Sequence, residues 1–162
     1  MIENIEHLKT LMEVATESMI GKQVTINLRA PIKKWLVGEA YIDADGPVMD
    51  INPDAELIVF YFAWLHETGH FYLGHLDNAE PRILPPEIQK SYELNGSLLD
   101  IAEGEQEAYD EDPREQDAQS FAYSIDEYAR RKATYMFFTA DVDFETRIRV
   151  LTNIVLQKEP QA

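Results

Sequence analysis

The chain contains 162 residues, which is enough for one domain with a single hydrophobic core. Acidic residues outnumber basic residues by 30 to 14, and the resulting formal net charge of -16 repels phosphate backbones, so we expect no direct binding of nucleic acid. The absence of cysteine excludes disulfides, thiolate catalysis and cysteine-ligated metal.

The first 20 residues predict an amphipathic helix. Apolar side chains recur there at helical spacing, namely Ile5, Leu8, Met12, Ala15 and Met19. Acidic residues are spread through the same segment, which therefore lacks the uninterrupted apolar core of a signal peptide. The longest apolar stretch, residues 57–65, is too short to span a membrane. We accordingly expect a cytoplasmic protein without membrane association, forming a single domain over residues 1–162.

Residues 24–51 predict a small sheet. Apolar and polar residues alternate from Val24 to Leu28, as in a half-buried strand, and a second strand is expected over residues 35–43. The turn sequence DGP at residues 45–47 separates it from a short third strand over residues 48–51. Strands and helices do not alternate here, and the sequence has no glycine-rich phosphate loop, which argues against a Rossmann-like nucleotide-binding domain.

The next helix carries the residues with the clearest chemistry. Asn52-Pro53 predicts its start, and the segment to about residue 75 is apolar nearly all round, so this helix is expected to be buried. Its interior holds the pattern HExxH at His66, Glu67 and His70. Residues i and i+4 share one helical face, so both imidazoles can bind one zinc ion while Glu67 acts on water as a general base. The alternative is a set of core histidines satisfied by hydrogen bonds, but three of the chain's four histidines fall within ten residues, which favours a metal.

A zinc site of this kind needs a third protein ligand, and the sequence offers two candidates. On a continuous helix His75 lies about half a turn from His66, so it joins the site only through a chain reversal at Gly74; a structural or supporting role suits it better. Glu115 is the better candidate, because it lies in the first turn of a separate helix. Many acidic residues surround it, however, so its position on a helix is weak support by itself.

Three further helices are expected after the motif. Residues 88–101 predict the first, and the acidic run over residues 100–117 is interpreted as a solvent-exposed face. Asp112-Pro113 predicts the start of the second, which continues to about residue 131. The third is expected to begin near Asp143 and to present one apolar face, formed by Phe144, Ile148, Leu151, Ile154 and Val155.

Two segments together carry a family resemblance. HETGHFYLGH at residues 66–75 and EQDAQSFA at residues 115–122 resemble the ImmA/IrrE group of zinc metallopeptidases, which is similar to the thermolysin-like zincins. The resemblance implies an α+β fold, with a small, mainly antiparallel sheet packed on the HExxH helix and additional helices closing a cleft. It also implies that Zn²⁺ is bound by His66, His70 and Glu115, with Glu67 as the catalytic base.

The chain departs from the family pattern at several positions. Relatives usually carry Asp or Asn where this chain has Gln119, a position that can orient a zinc-binding histidine. The family's Phe-Thr approach to the motif is here Phe62-Ala63, and the stretch between the motif and Glu115 is long. A group that stabilises the oxyanion is also expected, and Tyr123 or Tyr128 could supply it, although core or surface positions suit both tyrosines better.

The resemblance also implies a biological role. Family members cleave a transcriptional repressor in stress responses or in the regulation of mobile elements. Residues 1–50 predict one helix and strands rather than a helix-turn-helix, so we expect a zinc metalloendopeptidase acting on a separate, basic helix-turn-helix repressor. The alternative is a non-catalytic acidic binding module that sequesters a basic DNA-binding partner; the intact HExxH favours the enzyme, because Glu67 has no evident structural duty.

Overall fold

The computed structural model describes residues 2–33, 36–76, 112–137 and 142–156. In chain order these ranges contain α1 (Ile5–Ile20), β1 (Thr25–Leu28), β2 (Gly38–Asp43), β3 (Gly46–Ile51), α2 (Leu57–Tyr72), α3 (Pro113–Phe137) and α4 (Phe144–Leu151). The expected α+β class is confirmed. The helix predicted over residues 88–101 and most of the acidic run lie outside the described residues. None of the described helices is both long and apolar enough to cross a membrane.

The sheet is mixed, with the strand order β1-β3-β2. A tight turn joins β2 to β3, so this pair is antiparallel, and Gly46 supplies the positive φ of 122° that the turn requires. β1 pairs with the other edge of β3 in parallel, so the expected mainly antiparallel sheet has one neighbour of each kind. The second strand begins at Gly38 rather than at residue 35.

The predicted N-terminal helix is confirmed as α1, with its apolar face in the core. Its buried residues include Leu8, Met12, Ala15 and Met19. Thr16, also buried, accepts a hydrogen bond from the indole Nε1 of Trp64 at 2.8 Å, which joins α1 to α2. A buried indole N–H needs such a partner, so this bond fixes how the two helices pack.

The HExxH helix, α2, lies at the centre of the molecule and is buried continuously from residue 60 to residue 70. It starts at Leu57, four residues later than Asn52-Pro53 predicts. The reason is local: the side-chain oxygen of Asn52 accepts from the backbone N–H of Asp54 at 3.0 Å, which makes a turn instead of a helix cap. The helix ends at Tyr72, and Gly74 then reverses the chain with a φ of 76°.

The two C-terminal helices begin where the sequence predicts. Asp112 accepts from the backbone N–H of Arg114 at 2.9 Å at the start of α3, and Asp143 accepts from that of Thr146 at 2.8 Å at the start of α4. α3 extends to Phe137, beyond the expected end near residue 131. The predicted apolar face is wrong at Val155, which is 75% exposed because the helix ends at Leu151.

A buried charge cluster joins α2, α3 and α4. Asp126 is 3% exposed and accepts hydrogen bonds from the Tyr61 hydroxyl at 2.8 Å, Arg130 at 3.0 Å and Arg147 at 3.2 Å. Burial is the largest cause of a raised pKa at Tyr61, and the charge of Asp126 raises it further. A buried carboxylate is tolerated only when it is paired, so this cluster holds α2 and α3 in one relative position.

Candidate metal centre

Two helices bring together the three side chains predicted as ligands. His66 and His70 project from one face of α2, and Glu115 projects from the first turn of α3. The Nε2 atoms of the two histidines are 3.2 Å apart, and Oε2 of Glu115 lies 2.8 Å from His66 and 3.3 Å from His70. Among the described residues these three form a group whose ligand atoms all lie within 4.8 Å of one another. The group could therefore hold a metal ion.

The hydrogen-bond partners of the two Nδ1 atoms indicate which ring nitrogens of His66 and His70 carry hydrogens. Nδ1 of His66 lies 2.7 Å from the amide oxygen of Gln119, which can only accept, so this nitrogen carries the hydrogen. Nδ1 of His70 lies 2.9 Å from Nδ1 of His75, and one of the two must donate. With His70 as the donor, both Nε2 lone pairs point towards the carboxylate of Glu115.

This geometry fits a tetrahedral cation. With zinc–ligand bonds of about 2.0–2.1 Å, neighbouring ligand atoms in a tetrahedral site lie about 3.3 Å apart. The distances between the three atoms are 3.2, 3.3 and 2.8 Å. Two imidazole lone pairs and a carboxylate directed at one point repel one another unless positive charge lies between them. The donor set is therefore compatible with a bound cation.

The pKa values of Glu115 and His66 also reflect how closely the three side chains approach one another. Burial favours the neutral form of Glu115, but hydrogen bonds donated by protons on the two histidine Nε2 atoms, which a cation would displace, prevail and hold its pKa well below the usual range. Burial likewise acts to lower the pKa of His66, yet the hydrogen bond to Glu115 and the charge of Glu67 leave it raised. Glu115 thus keeps its negative charge, while the raised pKa of His66 favours a proton at the place that a cation would take.

His75 lies behind His70, on the side away from the three ligand atoms. After the reversal at Gly74, its backbone N–H donates to the carbonyl of His70 at 3.0 Å, and its ring faces the Nδ1 of the same residue. Burial, together with the charge of His70, lowers the pKa of His75, which favours the neutral ring that can accept a hydrogen bond. The structure therefore gives His75 the supporting position that the sequence analysis favoured over direct ligation.

Glu67 is separate from the three-residue group and lies beneath the edge strand β2. It is 7% exposed, and burial, followed by the nearby carboxylates of Glu115 and Glu39, raises its pKa. A Cβ at Gly38 would stand 3.0 Å from Cγ of Glu67, so only glycine leaves room for this carboxylate without a shift. Gly38 was not predictable as part of the site, because nothing along the chain indicates this long-range contact.

A second glycine allows α2 and α3 to approach closely at the site. A Cβ at Gly69 would lie 3.1 Å from the carbonyl oxygen of Ala118, 3.2 Å from its Cα and 3.0 Å from the ring of Phe121. Gly69 lies between the two histidines in sequence, and Ala118 lies three residues after Glu115. The close contact therefore sets the distance between the helices that carry the ligands.

The two candidate tyrosines occupy different positions. Tyr123 is 5% exposed, and its hydroxyl accepts from the amide nitrogen of Gln119 at 3.0 Å, so it lies behind His66 rather than beside the ligand atoms. Tyr128 is partly buried, with the ammonium of Lys132 5.5 Å from its ring centre. Neither position is that of a group directed at the three ligand atoms.

Comparisons with protein-family models, with curated proteins and with solved structures find no match for this chain. The resemblance to the ImmA/IrrE group therefore remains a prediction based on residues 66–75 and 115–122. The described structure establishes a coarser property, namely a His-His-Glu group compatible with a metal ion.

Proposed function

We propose that this chain is a zinc-dependent metalloendopeptidase in which His66, His70 and Glu115 bind the ion and Glu67 is the general base. The observation that carries the proposal is the convergence of three electron-pair donors, one of them a carboxylate, beside a second and buried carboxylate, that of Glu67. Two imidazoles and one carboxylate are a donor set that zinc favours in hydrolytic sites with an open coordination position. Zinc bound there supplies a Lewis acid that polarises a carbonyl and lowers the pKa of water.

Glu67 is suited to proton transfer. It takes the proton of the attacking water at a carboxylate oxygen and later gives it to the leaving amine. Burial raises its pKa towards the range in which a carboxylate can both accept and return a proton near neutral pH. Gly38 contributes by leaving space for Glu67 between the helix and the strand.

The edge of the sheet offers a place for a peptide. The backbone carbonyl of Val37 accepts from the backbone N–H of Asn52 at 2.8 Å. In an antiparallel pair, hydrogen-bonded residues alternate with residues that point away, so residues 37, 39 and 41 are hydrogen-bonded to β3. The backbone N–H and C=O groups of Gly38, Ala40 and Ile42 consequently point away from β3. Within the described ranges no strand pairs with that edge. An extended substrate can bind there by main-chain hydrogen bonds, close to Glu67.

The proposed substrate is a basic helix-turn-helix repressor. The net charge of -16 favours a partner with a basic surface, such as a DNA-binding protein. The resemblance to repressor-cleaving metallopeptidases points to the same class of partner, in a stress response or in the regulation of a mobile element. A repressor encoded beside this protein is the first substrate to test.

The decisive experiment compares wild-type protein with Glu67→Gln. This change is nearly isosteric and leaves the ligands intact, so bound zinc should stay close to one per chain while cleavage of the repressor falls at least about 100-fold. Zinc is measured by mass spectrometry of the metal, and fragments by mass spectrometry of the protein.

Two controls make the result interpretable. His66→Ala should lose both zinc and cleavage, whereas His7→Ala, which alters a histidine 49% exposed and paired with Glu145, should lose neither. Equal fragmentation by wild type and Glu67→Gln would indicate a contaminating protease. Stoichiometric zinc without fragments under any condition would favour the non-catalytic binding module.

A further inference from the structure

The side-chain amide of Gln119 is buried beside the metal centre and needs hydrogen-bond partners. It is 7% exposed, and its amide oxygen accepts from Nδ1 of His66 at 2.7 Å. Its amide nitrogen also carries two hydrogens, and a buried donor left without a partner destabilises the folded protein. A glutamine side chain is also longer and has more rotatable bonds than the side chain of Asp or Asn, so an amide at this position needs something to hold it.

We propose that Tyr123 is a positioning residue for the metal centre, whose hydroxyl holds the amide of Gln119 so that its oxygen stays against His66. The Tyr123 hydroxyl accepts from the amide nitrogen at 3.0 Å. A continuous relay thus runs from Tyr123 through Gln119 to Nδ1 of His66, whose Nε2 faces the ligand group. The inference rests on the proposed metal site but not on peptidase activity.

On each helix, two residues that build or support the relay are four positions apart. Gln119 and Tyr123 are four residues apart on α3, so they share one face. His66 and Phe62 are four residues apart on α2, and the ring of Phe62 packs against that of Tyr123 with centroids 5.1 Å apart. One helix therefore supplies both the support for the phenol ring and the histidine that the relay orients.

Burial makes the Tyr123 hydroxyl effective. Tyr123 is 5% exposed and belongs to the main hydrophobic core, so its ring cannot swing away without opening a cavity. A hydroxyl held in this way fixes the amide, and the amide in turn fixes the hydrogen of His66 on Nδ1. That arrangement leaves the Nε2 lone pair free for a cation, which is what the partners of metal-binding histidines normally secure.

The test is a double-mutant cycle read out as zinc affinity. Tyr123→Phe keeps the ring and removes only the hydroxyl. We expect the dissociation constant for zinc, measured by chelator competition, to rise about tenfold, the lower end of the range seen when partners of metal-binding histidines are removed. In a Gln119→Met background, which has no amide to hold, the same change should leave the dissociation constant unaltered.

The matched control is Tyr128→Phe, which removes a phenol hydroxyl elsewhere on the same helix and should leave zinc affinity unchanged in both backgrounds. Circular dichroism of each variant checks that the helices are retained. An unchanged affinity in Tyr123→Phe, or an equal loss in the Gln119→Met background, would overturn the relay. Failure of the wild-type protein to bind zinc would instead overturn the metal site. A protein that binds zinc through this relay but cleaves nothing would overturn only the peptidase.

Discussion

We call His66, His70 and Glu115 the metal group. Its two imidazoles are oriented by different kinds of hydrogen-bond partner. His66 is bound at Nδ1 by an amide, and His70 by the ring of His75. Both partners are uncharged, so neither supplies the negative charge that would strengthen the histidines as ligands. In this arrangement the carboxylate of Glu115 is the main source of negative charge among the three ligands.

At the residue scale, Glu115 and His75 should therefore behave differently on replacement. Glu115→Ala removes a ligand and the charge that balances the cation, so bound zinc should fall from about one per chain to near zero. His75→Ala removes only an acceptor behind His70, so zinc should largely remain, with affinity weakened by about tenfold. Metal analysis after gel filtration measures both. Retained zinc in Glu115→Ala together with lost zinc in His75→Ala would move the third ligand to His75.

The sequence predicted the residues that bear the chemistry better than it predicted their neighbours. HExxH places His66 and His70 on one helical face by spacing alone, and the resemblance pointed to Glu115 and Gln119. The role of Gly38 depends on how β2 crosses α2, and the bond from Gln119 to Tyr123 depends on side-chain packing. No periodicity in the sequence encodes either contact.

At the scale of elements, the packing of α2 on α3 determines whether the ligands meet. Each helix alone carries an incomplete site: α2 holds two histidines and α3 holds the carboxylate. Gly69 permits the close approach, because the backbone of Ala118 occupies the space where its Cβ would be. The charge cluster around Asp126 holds the same pair of helices further along α3.

Gly69→Ala should therefore weaken both the fold and the site. Alanine is the better helix former by about 1 kcal/mol, but overpacking against a backbone costs about 1–3 kcal/mol and pushes the helices apart. We expect a lower midpoint of thermal unfolding without metal and a weaker affinity for zinc. Thr134→Ala, at an exposed position of α3, is the control, because it gains helix propensity without a clash. A more stable Gly69→Ala protein with unchanged affinity would show that the helices have room to adjust.

Element boundaries were predictable where side-chain caps define them. Asp112 and Asp143 both cap helices at the positions that the sequence indicates. The start of α2 was misplaced because Asn52 forms a turn with Asp54, and a cap and a turn use the same side-chain hydrogen bond. The end of α3 was placed too early because Ala133 is the one buried residue that the structure describes over 132–136, so the apolar period weakens there.

At the scale of the whole molecule, charge is the dominant property. The net charge of -16 is spread over only 162 residues, and the proposed partner is basic. Long-range attraction between such surfaces accelerates association and is screened beyond about 8–10 Å at physiological ionic strength.

Association with the repressor should accordingly weaken as salt rises. The Glu67→Gln protein is the right reagent, because it should bind the substrate without cleaving it. We expect the dissociation constant to rise at least about tenfold between low and high salt, measured by calorimetry, while zinc content stays constant. Affinity independent of salt would mean that apolar contacts, rather than charge, hold the partner.

The metal group joins parts of the chain that are far apart in sequence, since Glu115 lies 45 positions after His70. An ion held there would act as a cross-link, in a chain that has no cysteine with which to make a covalent one. Closing a loop of this length lowers the entropy of the unfolded chain by an amount worth on the order of 4 kcal/mol in the treatment used for disulfides. If the ion is zinc, as we propose, such a tether would make the persistence of the protein depend on the supply of zinc, so that scarcity of the metal would shorten its lifetime.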